Sequence, residues 1–396
     1  MESNQKDYKY LSLALEMAFK SWGKTSPNPA VGAVIVRNNK IISKGSTSPY
    51  GGDHAEIVAL KKAKTDLKGA ELYVSLEPCS HYGQTPPCTE AIIKSGISKV
   101  HLPILDPNPK VSGRGIKKLK QAGIEINLIK DLSKAAYDLI RPFHKYITQK
   151  KPYIIHKNAL TLDGQTATIK GDSKWISSSF SRYLVHKLRA KVDAILVGKT
   201  TFEKDQPRLN VRLKSFKQEV AGYFKQNPQL SGYDNFFLKS LLKEKNPLPK
   251  DPLKVIIGLP KINSNYNNFF QDDNYLILAP KTEIKLAKKK NTSLNIIPLQ
   301  NRSLQGQIKE ILTILAERGI MTILLEGGSK LSSSFLENQS LDQILWFMAP
   351  KILGPGLNPF RSLKPKNKIV DSLNLYDISS ILIKNDLLYN AYTKKN

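Results

Sequence analysis

The chain has 396 residues, 40% of them apolar and 24% charged, which is enough length for two domains with real cores and an ordinary balance for a globular protein. Its formal net charge of +28 is dominated by lysine and spread over both halves. A diffuse basic surface of this kind suits phosphorylated substrates and cofactors but singles out neither RNA nor lipid, so no specific nucleic-acid partner is expected. No apolar run approaches the ~20 residues that span a bilayer, so no membrane partner is expected. The opening Met-Glu-Ser-Asn-Gln-Lys-Asp does not read as a signal peptide. With only two cysteines, the cytoplasm is the expected compartment.

Asp7 to Trp22 predicts an amphipathic helix with Leu11, Leu15, Ala18 and Phe19 on one side. Ala30–Val36 and Lys40–Lys44 read as a hairpin turning at Arg37-Asn38-Asn39. His54 opens a helix with Ile57, Leu60 and Ala63 at core spacing, and Leu72–Leu76 is a buried strand leading to Cys79. Thr89–Ser95, closed by Gly96, is a second helix with Cys88 at its entrance. Strand Lys99–Leu105, a turn at Asp106-Pro107-Asn108-Pro109, helix Gly115–Ala122, strand Glu125–Ile129 and helix Leu132–Ile147 follow. Helices alternating with strands predict a three-layer α/β/α sandwich.

Gln149-Lys150-Lys151-Pro152 is polar and breaks regular structure, so the chain is divided into domains 1–147 and 148–396. Beyond it lie strand Tyr153–Ala159, a helix from about Phe180 to Ala190, strand Ala194–Gly198 and strand Met321–Leu325, which ends at Glu326. Gly327-Gly328 then permits close backbone approach. A helix begins near Leu331, and free amides at its entrance can hold a cofactor phosphate. No Gly-x-Gly-x-x-Gly follows a strand, so a Rossmann site is not supported.

The chemistry concentrates between His54 and Cys88, a stretch that contains both cysteines of the chain. His54, Cys79 and Cys88 give Zn²⁺ three ligands and leave the fourth tetrahedral position for water, the arrangement of a catalytic site with one zinc per chain. Glu56, two residues after the histidine, stands beside the metal as a proton carrier for hydrolytic deamination of an amino-pyrimidine. A Cys79–Cys88 disulfide and two unrelated buried thiols are the competing readings. Nothing points to an oxidising compartment, and His-x-Glu followed by Pro-Cys favours the metal. His81, Tyr82 and Pro86-Pro87 are read as shaping the loop.

Glu77-Pro-Cys-Ser-His-Tyr-Gly-Gln-Thr-Pro-Pro-Cys88 and Thr25-Ser-Pro-Asn-Pro-Ala-Val-Gly-Ala-Val-Ile-Val36 resemble the bifunctional deaminase–reductase family of riboflavin biosynthesis, RibD. The second half resembles the family's reductase domain at Lys157–Gly164, Ser173–Ile176, Leu188–Gly198, Thr201–Asp205 and Leu324–Ser329. The resemblance implies a cytidine-deaminase-like α/β/α sandwich followed by a dihydrofolate-reductase-like α/β domain. It implies zinc-dependent deamination of a phosphoribosylaminopyrimidine and then NADPH-dependent reduction of its ribosyl arm.

By the same resemblance Asn28 contacts the pyrimidine, and Lys157, Ser173, Ser177, Arg189, Arg212 and Glu326 contact the phosphoribosyl substrate. Trp175, Thr201, Asp205 and the stretch Gly328, Ser329, Lys330, Leu331, Ser332, Ser333 and Ser334 contact NADPH. Asp106-Pro-Asn-Pro and Ser112-Gly-Arg-Gly115 fall on segments near the substrate, and a homo-oligomer is expected. Three departures stand out. Residues 214–250 are longer than the family's connection and read as a mobile, dispensable surface insertion. Lys254-Val-Ile-Ile-Gly258 lacks an acidic residue at the strand end, and Gly45-Ser-Thr-Ser lacks a histidine before His54. The rival reading is a tRNA or nucleotide deaminase with a basic accessory domain, against which the Cys-x₈-Cys spacing and the second domain argue.

Overall fold

The computed structural model describes residues 2–213, 236–244, 250–261, 269–270, 272–287 and 294–395. Helix α1 (Glu2–Ser21) starts earlier than the apolar pattern suggests and buries Leu11, Ala14, Leu15, Ala18 and Phe19. Strands β1 (Gly32–Arg37) and β2 (Lys40–Ser46) form the expected hairpin. Its turn residues Asn38 and Asn39 both take positive φ, 50° and 61°, which asparagine tolerates and a two-residue hairpin turn requires. The sheet continues with β3 (Glu71–Val74), β4 (Lys99–Leu102) and β5 (Glu125–Leu128), in the order β2-β1-β3-β4-β5. β1 runs antiparallel to β2 and β3, while β3, β4 and β5 are parallel.

The remaining helices of this unit are α2 (Ala55–Lys62), α3 (Cys88–Lys94), α4 (Arg114–Gln121) and α5 (Ser133–Gln149). Two glycines show how tightly the layers close. A Cβ at Gly32 would lie 2.0 Å from the Ala14 carbonyl of α1, and one at Gly45 would lie 2.1 Å from the Ala55 carbonyl of α2. Gly45 pairs with Ala33, the neighbour of Gly32, so the two glycines face opposite sides of the sheet and α1 and α2 form the outer layers. Gly45 therefore lets the helix that carries Glu56 sit directly on the strand.

Two units separate, Met1–Lys151 with Asn235–Asn246, and Pro152–Asp234 with Pro247–Asn396. The boundary expected after residue 147 falls inside α5, which runs on to Gln149.

The second unit is built on a nine-stranded sheet. Its elements in chain order are β6 (Tyr153–Thr161), β7 (Ala167–Thr168), α6 (Ser179–Arg189), β8 (Ala194–Gly198) and α7 (Lys199–Asp205). Helix α8 (Phe236–Lys243) comes next in sequence. There follow β9 (Leu253–Ile257), β10 (Tyr275–Pro280), α9 (Lys281–Ala287), β11 (Ile296–Leu299) and α10 (Leu304–Glu317). The chain ends with β12 (Thr322–Leu325), α11 (Ser329–Glu337), β13 (Gln343–Ala349), β14 (Gly356–Leu357), β15 (Tyr376–Ile383) and β16 (Asp386–Tyr392). The strand order is β11-β10-β9-β8-β12-β6-β13-β16-β15, parallel from β11 to β13 and antiparallel at the β13–β16–β15 edge. Parallel strands buried on both faces explain the continuous apolar runs Ala194–Val197 and Ile323–Leu325, all buried.

Helix α8 corrects the surface reading of the 214–250 segment, most of which lies outside the described residues. Phe237, Leu238, Leu241 and Leu242 are buried, and the helix belongs to the first unit, packed on α1 and α5. The i, i+1, i+4, i+5 spacing of those four residues makes one apolar stripe, which α1 meets with Phe19 and Trp22.

Candidate active sites

His54 is the extended residue just before α2, and Glu56 lies in the first turn of that helix. Cys88 is the first residue of α3, and Cys79 stands in the loop after β3. His54 Nδ1 lies 3.5 Å from Cys79 Sγ and 3.3 Å from Cys88 Sγ. The three donor atoms all fall within 4.8 Å of one another. The Cys88 amide donates to Cys79 Sγ at 3.3 Å and the Thr89 amide to the Cys79 carbonyl at 3.1 Å, so the start of α3 closes over Cys79. Both cysteines are free thiols, which removes the disulfide reading.

The charges of these groups fit a cation. The hydrogen bond from Cys88 holds the Cys79 thiol down to about 4, with His54 and the Cys88 amide adding and burial opposing. The shared proton stays on Cys88, which is pushed well above its usual range by that same bond and by burial. The bond to Cys79 lifts His54 to about 9, with Glu56 and Asp53 adding. A thiolate and a carboxylate packed around an imidazole draw in protons wherever no metal replaces them, and one imidazole with two sulfurs is a zinc donor set. Glu56 is buried, and desolvation raises its carboxyl to about 7.

His54, Glu56 and Cys79 open on a cavity of ≈ 280 Å³, which Asn28, Thr47, Tyr50, His81, Asp106 and Asn108 also line. Asn28 thus lines the same cavity as His54, Glu56 and Cys79. Thr47 occupies the stretch where a histidine was expected, and its hydroxyl accepts from the Val31 amide at 3.0 Å. Asp106 both makes its turn, accepting from the Asn108 amide at 2.7 Å, and faces the cavity. Burial lifts its carboxyl to about 7. Arg114 is exposed at the start of α4 and is not among the cavity's lining residues.

Glu77 is the residue that the sequence reading passed over. It is buried, and its carboxylate accepts from the amides of Asp106 (3.2 Å), Gly113 (2.9 Å) and Ile116 (3.1 Å). It therefore anchors the 106–116 loop two residues from Cys79. Its only sequence signal is an acid at the end of an apolar strand.

In the second unit Glu326 follows β12, and Arg189 ends α6. The Arg189 guanidinium grips the Glu326 carboxylate with two bonds, 2.8 Å and 2.9 Å, and Lys157 Nζ lies 3.5 Å away. Although burial opposes it, Arg189 and Lys157 hold the Glu326 carboxyl far below the usual range. Arg212 lies close by, donating to Asn210, whose carbonyl accepts from Arg189 at 3.3 Å. Burial and the neighbouring Arg189 and Arg208 charges push the Arg212 guanidinium down. One carboxylate among Lys157, Arg189, Arg208 and Arg212 leaves a surplus of positive charge suited to a phosphate. Arg208 was not singled out from the sequence.

Ser173 is exposed and Ser177 half-buried in the loop before α6. Trp175 is 63% exposed, with the Arg182 guanidinium 4.4 Å from its ring centre. Asp205 feels the Lys174 charge, and burial raises its carboxyl. Thr201 Oγ1 accepts from the Gly328 amide at 3.1 Å, joining two sequence-predicted residues. The stretch after Gly328 divides. The Ser329 and Lys330 amides open α11, whereas the side chains of Leu331, Ser332, Ser333 and Ser334 are buried. At the strand end without an acid, Glu283 supplies one from α9, accepting from the Leu259 amide at 2.9 Å and from Lys199 Nζ at 2.8 Å.

Residues 4–103 match the cytidine and deoxycytidylate deaminase zinc-binding region, and residues 152–389 match the RibD C-terminal domain. The riboflavin biosynthesis protein RibD of Aquifex aeolicus is 38% identical over 379 residues, covering 93% of this chain and 96% of that protein. The chain belongs to the RibD family. The Escherichia coli RibD protein is 31% identical over 366 residues, covering 92% of this chain and 94% of its own. Among solved structures, the Thermotoga maritima diaminohydroxyphosphoribosylaminopyrimidine deaminase/5-amino-6-(5-phosphoribosylamino)uracil reductase superposes with a TM-score of 0.79 at 31% identity, covering 98% of this chain and 99% of that one. Acinetobacter baumannii RibD superposes with a TM-score of 0.77 at 29% identity, covering 99% of this chain and 100% of that one. RibD membership gives the two units their chemistry: a zinc-binding deaminase domain containing His54, Cys79 and Cys88, and a reductase domain that implies a nucleotide cofactor. Among the described residues no helix is long and apolar enough to cross a membrane.

Proposed function

We propose that the first unit hydrolyses the 2-amino group from 2,5-diamino-6-(5-phosphoribosylamino)pyrimidin-4(3H)-one, and that the second reduces the ribosyl arm of the product to ribityl with NADPH. The observation that carries this reading is the buried Glu56 beside the His54, Cys79 and Cys88 donors, facing a cavity that also presents Asn28. Zinc held by those three side chains supplies the Lewis acidity that makes water nucleophilic near neutral pH. Glu56 accepts the water's proton on a carboxylate oxygen and returns it to the departing ammonia. A carboxyl near 7 suits both halves of that transfer. Asn28 offers a donor and an acceptor to the ring edge.

In the second unit Lys157, Arg189 and Arg212 hold the phosphoribosyl arm, with Ser173 and Ser177 at its rim. Glu326 stays charged and orients Arg189. NADPH supplies hydride to the anomeric carbon. Trp175, Thr201 and Asp205 border the cofactor, the Ser329 and Lys330 amides take a phosphate, and Ser332, Ser333 and Ser334 support the turn from behind. A homo-oligomer is supported by edge strand β15, whose Ile378 and Leu382 are 58% and 63% exposed, and sedimentation velocity tests it. Free thiols at the metal site agree with the cytoplasm as the compartment.

Incubation with the diaminopyrimidinone and NADPH, following ammonia and cofactor absorbance together, tests the whole reading. Release of ammonia from RNA but not from the free pyrimidine would establish the rival deaminase instead.

A further inference from the structure

Behind the Gly327-Gly328 turn runs a hydrogen-bond chain with a forced direction. His156 on β6 is 0% exposed, and Trp346 Nε1 on β13 donates to its Nδ1 at 3.1 Å. An indole nitrogen only donates, so Nδ1 carries no proton and the neutral ring bears its hydrogen on Nε2. Nε2 lies 3.0 Å from Ser332 Oγ, which therefore accepts. The serine hydrogen is left for the Gly327 carbonyl, 3.3 Å away. Burial pushes the His156 imidazole down to about 3, so the ring stays neutral across the physiological range. Phe360 packs on both rings, 5.0 Å from His156 and 5.9 Å from Trp346.

A buried histidine that merely satisfied its two nitrogens would need no particular terminus for the chain. This one ends on the carbonyl of the turn itself. The same turn is held from its other side by Thr201, which accepts from Gly328, and from upstream by the Arg189 grip on Glu326. Those two contacts fix where the turn sits. The chain from Trp346 fixes how the Gly327 peptide is rotated, and so where the following amides point.

We infer that His156 is a positioning residue of the reductase: with Trp346 setting its tautomer, it orients Ser332 to hold the Gly327 carbonyl and thereby aims the Ser329 and Lys330 amides at the cofactor phosphate. This rests on the reading of that turn as the NADPH phosphate site. Replacing Trp346 by Phe keeps a ring but removes the donor. The imidazole can then take either tautomer, and Ser332 can turn its hydrogen toward His156 and away from Gly327.

The test uses the full chain with Trp346→Phe, Ser332→Ala and the double variant, each checked for folding by thermal unfolding. A bond of this kind contributes about 0.5–1.5 kcal/mol, so each single variant raises the KM for NADPH about two- to tenfold. The double variant is no worse than the poorer single, because one chain is broken twice. The KM for the deaminated pyrimidine and the rate of ammonia release stay within about twofold, a split that general loosening of the unit would not produce. Nitrogen NMR shows a single Nε2–H tautomer of His156 in the parent and a mixture in Trp346→Phe.

Ser329→Pro, at the first helical position where proline is tolerated, removes an amide donor, with Ser329→Ala as its control. If Ser329→Pro leaves the NADPH KM at the control's value, the turn is not the phosphate site and the underlying reading fails. If Ser329→Pro weakens NADPH while folded Trp346→Phe and Ser332→Ala do not, or if both substrates' KM values move together, the positioning role of His156 is overturned.

Discussion

Phe237 meets Trp22 edge to face, ring centres 5.1 Å apart at 73°, although more than two hundred positions separate them in the chain. The contact makes α8 a part of the deaminase unit's core. Leu238 and Leu241 are 0% exposed there, so Leu241→Asp buries an unpaired charge against α1 and α5. The expected loss is about 3 kcal/mol or more of that unit's stability. Denaturant unfolding read through Trp22 fluorescence checks it. A change below about 0.5 kcal/mol would mean that α8 is dispensable after all.

The metal site gives a compositional prediction. Cys79→Ser and Cys88→Ser each replace a soft ligand by a hydroxyl that resists deprotonation, so purified variants lose most of their zinc. Elemental analysis gives one zinc per chain for the parent and well under half of that for each variant. Unchanged zinc in both would place the metal elsewhere.

The buried histidines of the reductase unit should make it acid-sensitive. Burial holds His156 and His186 at about 3, against about 6.5 in an unfolded chain. Between those values the unfolded state binds protons that the folded state refuses, so stability falls as pH drops from 6.5 toward 3 and is flat above. Glu326 has a depressed carboxyl, and its contribution is also present at neutral pH and lost in acid. For fully buried His156 the effect is on the order of a few kcal/mol. His156→Leu should flatten the slope of unfolding free energy between pH 4 and 6.5, as measured by denaturant titration. An undiminished slope would assign the acid response to other groups.

The legible parts of this protein were those written locally. His54, Cys79 and Cys88 stand within one short stretch, and the residues between them build the helix and strand ends that bring their donor atoms together. The Asn38-Asn39 turn announced the hairpin. Glu77 was hidden because its three donors come from a loop some thirty residues on, and an acid after a strand has no distinctive spacing. Ser332 to Ser334 were placed at the cofactor by likeness of position. All three are buried in α11, where the Ser332 and Ser334 hydroxyls donate to the Gly327 and Lys330 carbonyls, local bonds that no residue spacing announces. Helix α8 is only eight residues long, and the length and prolines of the 214–250 stretch around it read as surface. The partner face on α1 could be known only from the fold.

The two chemistries should separate by mutation. Glu56→Gln keeps the shape of a buried side chain but removes the carboxylate that carries the proton, and a general acid–base group contributes ~10²–10⁴-fold. Ammonia release should fall by about that factor while the three donors, and hence the zinc content, are untouched. The same variant, given the deaminated pyrimidine, should oxidise NADPH at the parent's rate, because Glu56 and every reductase residue named above lie in different units. Asp205→Ala should do the reverse. Its carboxyl is raised by burial, with the charges of Lys174, the neighbour of Trp175 in the chain, and Lys204 opposing. Its loss should raise the KM for NADPH more than it lowers kcat and leave ammonia release intact. Both variants are assayed on both substrates, with zinc and folding verified first. Loss of NADPH oxidation in folded, zinc-loaded Glu56→Gln protein would contradict two independent sites and require that the carboxylate serve both reactions.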